Sequence, residues 1–182
     1  MIFSVSIPAA LERDLRRHLF QGELEQGAFL FAAVVEKPSA VNLSAVDAYM
    51  VAPEEWEMQS EVHLEMADLA RAKIMKMARN RDLAVIDCHS HPHSGNHVWF
   101  SPSDRAGITE FAGYLKWKIG GKPYTAMVLG ESSLDAVAWY DDFSMPGRVD
   151  SVEVLTTPPT LWKPRGSWFK PRSSFERGRY GR

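Results

Sequence analysis

Apolar positions along this chain switch between a two-residue and a three-to-four-residue period. Ile2 to Ile7 reads as a strand, and Pro8 opens a helix to about Phe20 that carries Leu11, Leu15 and Leu19 on one face. Gln21 and Gly22 end that helix. Gly27 to Val35 is a continuous apolar run with a β-branched end, and Val41 to Val51 is a second strand-like stretch. Glu36, Lys37, Pro38 and Ser39 join them as a turn, so the two are predicted to pair antiparallel. Met66 to Arg79 then repeats apolar residues at Met66, Leu69, Ala70, Ile74 and Met77, the spacing of a helix packed on a sheet.

Leu83 to Cys88 is predicted as a short buried strand, followed by a loop opened by Pro92 and Gly95. At Ser101 a hydroxyl can cap a helix, Pro102 suits the first helical position, and Asp104 lies in the first turn, where the macrodipole favours an anion. Tyr124 to Leu129 and Leu134 to Tyr140 form a hairpin around Gly130 to Ser133, and Val149 to Leu155 adds an edge strand. No internal repeat is visible. The expected fold is α/β in the α+β sense: one domain with a central, mostly antiparallel sheet flanked by about three helices.

Composition narrows the class. With 182 residues, 45% apolar and 24% charged, the chain can bury a full core as one globular domain. Its longest uninterrupted apolar run, Ala28 to Val35, is far too short for a bilayer, and the N-terminus reaches Glu12 and Arg13 without a basic start or cleavage pattern. The expectation is a cytoplasmic protein with no membrane partner. A single cysteine, Cys88, rules out a disulfide within the chain and suits a reducing compartment. Charge is unevenly shared: residues 1–157 hold 14 basic and 22 acidic side chains, whereas 158–182 hold seven basic and one acidic. Residues 1–157 are therefore read as the domain and 158–182 as a basic tail. That tail also carries Pro158, Pro159, Pro164 and Pro171, with Trp162, Trp168, Phe169, Phe175 and Tyr180 interleaved. It is disordered, draped over the acidic body, or a docking arm. Single-stranded nucleic acid is the weakest of its readings.

Chemistry concentrates in one place. Four of the six histidines fall within nine residues, in Cys88-His89-Ser90-His91-Pro92-His93-Ser94-Gly95-Asn96-His97. Two apart in an extended strand, His89 and His91 share one face, while Ser90 points away. If the loop folds back, the first turn of the next helix brings Asp104 to the same point, with Ser101 beside it. Two imidazoles and a carboxylate suit zinc and leave a fourth position for water, whose pKa the metal lowers from 15.7 to about 7. Simpler readings stand beside this one: polar residues cluster after strands, and Ser-Pro-Ser-Asp caps a helix without any metal. His93 and His97 read as exposed loop residues, Cys88 as a small buried strand residue, and His18 and His63 carry no signal.

The run His-Ser-His-Pro, then eight residues, then Ser-Pro-Ser-Asp resembles the JAMM/MPN+ (JAB) metalloproteases, whose motif is an upstream Glu, H-x-H-P, a short loop and S-x-x-D. The resemblance covers residues 1 to about 157, including the element order. It implies an MPN/JAB-like domain and a zinc isopeptidase or peptidase that removes ubiquitin or ubiquitin-like modifiers. His89, His91 and Asp104 would hold the metal, and Ser101 would stabilise the oxyanion. The upstream acid of the family sits just before an apolar strand, as in Glu25-Gln26-Gly27-Ala28-Phe29, which assigns the acid–base role to Glu25, with Glu23 the competitor. One departure is that nine residues, Pro92 to Phe100, separate His91 from Ser101 where the family usually has seven. The extra length around Ser94 to His97 should alter the rim of the site without removing a ligand.

The compact chain most resembles the prokaryotic, deubiquitinase-like branch of the family. Its expected substrate is the extended, small-residue C-terminus of a modifier protein, and modifier-activating or modifier-conjugating enzymes are its expected context. Two other functions fit the same residues: a non-catalytic MPN scaffold, and a metallohydrolase acting on a small conjugate or a sulfur-carrier adduct.

Overall fold

The computed structural model describes residues 1–61, 63–140, 144–164, 166 and 168, among which the chain forms eleven strands and three α-helices. Phe169, Pro171, Phe175 and Tyr180 of the tail lie outside the described residues. Strand β1 (Ile2–Pro8) runs into helix α1 (Ala9–Leu19), and β2 (Gly27–Lys37) turns back as β3 (Ala40–Met50), with antiparallel pairs from Ala28–Met50 to Lys37–Ala40. The short strands β4 (Trp56–Gln59) and β5 (Leu64–Met66) make a separate two-stranded sheet. Helix α2 (Asp68–Asn80), strand β6 (Ala84–Ser90), helix α3 (Pro102–Lys118) and strands β7 (Tyr124–Leu129) and β8 (Leu134–Trp139) follow. The last strands are β9 (Gly147–Arg148), β10 (Ser151–Leu155) and β11 (Thr160–Trp162).

Nine strands form the main sheet in the order β11-β10-β1-β3-β2-β6-β7-β8-β9. Five of its pairings are antiparallel, and three, β1 with β10, β1 with β3 and β6 with β7, are parallel. The expected α+β architecture is therefore present, with a larger sheet than anticipated. Strand alternation assigns side chains to two cores. Ala28, Leu30 and Ala32 of β2 face Leu15 and Leu19 of α1, whereas Phe29 and Phe31 face Ile74 of α2 and Ala112 and Leu115 of α3. Burying each of these leucines contributes roughly 1.5–3 kcal/mol relative to leaving it exposed.

The sheet rolls around α1, because that core draws on β1, β2, β3, β6, β7, β8 and β10 together. Phe3 of β1 stacks on Tyr140, one residue beyond β8, at 4.8 Å between ring centres. Arg16 of α1 donates from Nη1 to the Glu131 carbonyl in the β7–β8 turn (3.1 Å) and lies 5.3 Å from the Trp162 ring. No helix among the described residues is long and apolar enough to cross a membrane.

Three expectations change. Helix α2 starts at Asp68, because Met66 closes β5 by pairing with Trp56. Its buried stripe is Ala70, Ile74, Met75 and Ala78, and Leu69 is 86% exposed, one position off that stripe. The strand expected over Val149 to Leu155 is β10, which is not an edge: β11 pairs with it from Val152–Trp162 to Val154–Thr160. The sheet thus extends beyond residue 157 into the tail.

Candidate metal centre

Strand β6 carries Val85, Asp87 and His89 toward α2 and α3, while Ala84, Ile86 and Cys88 point into the α1 core. Its end is fixed on both sides. The Ser90 N–H donates to the Gln26 carbonyl (2.9 Å), and Ser90 Oγ accepts from the Gln26 N–H (3.0 Å), so Ser90 faces away from its neighbours. One residue on, the His91 N–H donates to the Leu129 carbonyl at 2.8 Å. Those bonds extend the strand past Ser90 and set both imidazoles toward the start of α3.

Helix α3 begins with a reciprocal cap. Ser101 Oγ accepts from the Asp104 N–H (3.1 Å), and Asp104 Oδ2 accepts from the Ser101 N–H (2.6 Å). Such a box satisfies two otherwise unpaired amide donors and fixes the carboxylate. The same Oδ2 lies 3.5 Å from His89 Nε2 and 3.3 Å from His91 Nε2. Ligands about 2.0–2.1 Å from a tetrahedral zinc stand roughly 3.3 Å apart, so these separations match one shared ion. One ligand atom from each of the three residues lies within 4.8 Å of the others, and the group can hold a metal. The donor set adds an indication: His89 Nε2 is buried, and its contact with Asp104 Oδ2 at 3.5 Å is too long for a good hydrogen bond. A poorly satisfied buried nitrogen costs free energy, and a cation held between it and the carboxylate would satisfy both.

Glu25 reaches the site from the residue pair before β2. It is 5% exposed, with Oε1 3.3 Å from His91 Nε2. The β4–β5 hairpin grips its backbone: the Glu25 N–H donates to the Ser60 carbonyl (3.0 Å) and Gln59 Nε2 donates to the Glu25 carbonyl (2.9 Å). Glu23 instead is exposed, and its carbonyl meets His93 Nε2 at 3.1 Å. Burial pushes Glu25 up to about 7, with His89 opposing and Asp104 adding to the rise. Burial pulls His89 down, but Asp104 foremost, then Asp87 and Glu25, outweigh it and hold the imidazole at about 8. Asp104 is held far below the usual carboxylate range; burial acts against this, and His89 and His91 overcome it.

The nine-residue loop from Pro92 to Phe100 leans toward the β7–β8 turn. Ser132 Oγ donates to Asn96 Oδ1 (2.8 Å), and the Val98 N–H donates to Ser133 Oγ (3.1 Å). A Cβ on Gly130 would come within 2.6 Å of Ser94 Oγ and 3.2 Å of Val98 Cβ, so glycine there lets the loop pack closely on the turn. His93 and His97 are exposed, and Val98 and Phe100 are buried.

Beside the centre lies a cleft of about 410 Å³ between the β4–β5 hairpin and α3. Glu25, His89 and Asp104 line it together with the apolar Trp56, Met66 and Phe111 and the charged Asp87 and Arg71. The hairpin was not foreseen. Its strands are four and three residues long and half-exposed, too short for alternation to register, and Gly27 was the available clue. A Cβ there would meet Trp56 Cη2 at 2.6 Å, so the missing side chain marks where the hairpin presses on β2. Asp87, which accepts from the Tyr124 hydroxyl at 3.1 Å, was likewise missed; it lies two residues before His89 on the same face. No family model matches this chain, and no curated protein matches it.

Proposed function

We propose that this chain is a zinc-dependent peptidase or isopeptidase of the JAMM/MPN+ (JAB) type, which hydrolyses the bond after the C-terminus of a ubiquitin-like modifier. The observation that carries this reading is the convergence of His89, His91 and Asp104 on one point, with Glu25 3.3 Å from His91. Three ligands leave a fourth position, the arrangement of catalytic rather than structural zinc. When bound, zinc supplies Lewis acidity that polarises a carbonyl and makes water a far stronger acid. Glu25, raised toward neutrality by burial, takes a proton from the attacking water and passes it to the leaving amine. The Ser101 oxygen already accepts from the Asp104 amide, and its O–H, which shares a contact with Ser103 Oγ at 2.8 Å, can turn to donate to the carbonyl oxygen as charge develops.

The cleft supports an extended peptide as substrate. Backbone bonding along the hairpin would hold a modifier tail, and small terminal residues would let its backbone approach the metal. Modifier-activating and modifier-conjugating enzymes are then the partners, and the reducing cytoplasm, which suits the lone buried Cys88, is the setting.

The test is incubation of the zinc-loaded protein with modifier fusions, followed by mass analysis. A cut after the modifier's last residue, lost with chelator and restored by zinc, is expected. Glu25→Gln should abolish that cut while zinc, measured by elemental analysis, stays bound, whereas His89→Ala and Asp104→Ala should lose both. Zinc uptake without cleavage of any fusion would sink the modifier assignment, and full activity in Glu25→Gln would show the acid to be another residue.

A further inference from the structure

We infer that Trp168, in the basic tail beyond β11, is a positioning residue for the metal centre. The inference rests on the metal reading of His89, His91 and Asp104. After β11 joins the edge of the sheet, the chain crosses to the strands at the sheet's other end. Pro164 is buried, and the Gly166 N–H donates to Oδ1 of Asp135, a fully buried residue of β8, at 2.7 Å. The Trp168 ring then meets two aromatic rings edge-on: Phe100 at 5.3 Å and Trp139 at 5.7 Å between centres.

Both of its contacts on the metal side involve immediate neighbours of the α3 cap. Phe100 directly precedes Ser101, is 1% exposed, and lies 6.1 Å from the His89 ring. Arg105 directly follows Asp104. Its Nη1 donates to the Trp168 carbonyl (2.8 Å), its guanidinium lies 5.4 Å from the Trp168 ring, and its Nε donates to the Phe100 carbonyl (3.4 Å). Trp168 therefore clasps both ends of the four-residue cap from Ser101 to Asp104, and does so from a segment that belongs to neither β6 nor α3. The reciprocal cap fixes this turn internally, and the clasp sets its position against the strands, since Pro102 and Ser103 are exposed. A carboxylate that must sit within a few tenths of an ångström of its metal position needs such outer support, and losing outer support of this kind typically weakens metal binding about 10–100-fold.

The decisive experiment uses the full chain and reads the metal rather than turnover. In Trp168→Ala, zinc affinity measured by chelator competition should fall about tenfold, and the visible absorption band of the cobalt(II)-substituted protein should lose intensity or shift. Trp168→Phe, which keeps an aromatic edge against Phe100, should restore both. Leu15→Ala weakens the fold through the α1 core on the other face of the sheet and should leave zinc affinity within about twofold; this separates positioning from general loss of stability. A folded Trp168→Ala protein with wild-type zinc affinity and an unchanged cobalt spectrum would overturn the inference. If that variant does not fold, Arg105→Met decides: weakened zinc binding supports the clasp and wild-type binding overturns it. A wild-type chain that takes up no zinc would overturn the metal reading itself and this inference with it.

Discussion

At the scale of single residues, the centre depends on groups with two duties. Ser101 caps α3 and stands beside the ligands, so Ser101→Ala should be felt twice. On the proposed mechanism, removing this oxyanion donor raises the barrier by about 3 kcal/mol, and removing the cap costs about 1 kcal/mol of stability. A kcat lowered more than a hundredfold with only a small shift in a urea midpoint would match this; the reverse pattern would assign Ser101 to capping alone. His89 gives a second test. In the metal-free chain its imidazole is held at about 8, so zinc must displace a proton at lower pH. Protonated His89 dominates below that value and neutral His89 above it. Apparent zinc affinity should therefore fall roughly tenfold per pH unit below about 8 and level off above it. Chelator competition between pH 6 and 9 reads the slope, and a flat profile would contradict the environment described for His89.

At the scale of elements, helix α2 illustrates what burial decides. Ile74 is fully buried and Leu69 is 86% exposed, although both fit a helical repeat in the sequence. Ile74→Ala should cost about 2–5 kcal/mol in urea unfolding, and Leu69→Gln should stay within about 0.5 kcal/mol. The β2–β3 and β7–β8 hairpins were legible because long apolar runs flank turn residues such as Pro38 and Gly130. The grouping of His89, His91 and Asp104 was legible too: two histidines at strand spacing and a capping sequence make local patterns. What stayed hidden was non-local. Residues 53–66 mix glutamates with Trp56 and Met58, and non-local contacts with Gly27, the Glu25 backbone, Tyr49 and Lys73 organise them into β4 and β5. The covering of β10 by β11 depended on a proline-rich segment with no strand-like period.

At the scale of the whole molecule, the rolled sheet is tied where its distant parts meet. Arg16 is one such tie. It pairs with Glu12, donates to the carbonyls of Gly130 and Glu131, and faces the Trp162 ring. Hydrogen bonds from charged groups contribute roughly 1.5–3 kcal/mol, so Arg16→Ala should lower stability by about that amount. Denaturant unfolding would measure it, and an unchanged midpoint would mean that the β7–β8 turn holds α1 without this residue. The reciprocal cap at Ser101 and Asp104 has a consequence of another kind. The Ser101 amide already holds that carboxylate at a helix start that needs no cation to form, so the metal-free protein should stay folded. Unlike zinc fingers, which collapse when demetallated, a chain built this way would release and rebind a metal without refolding.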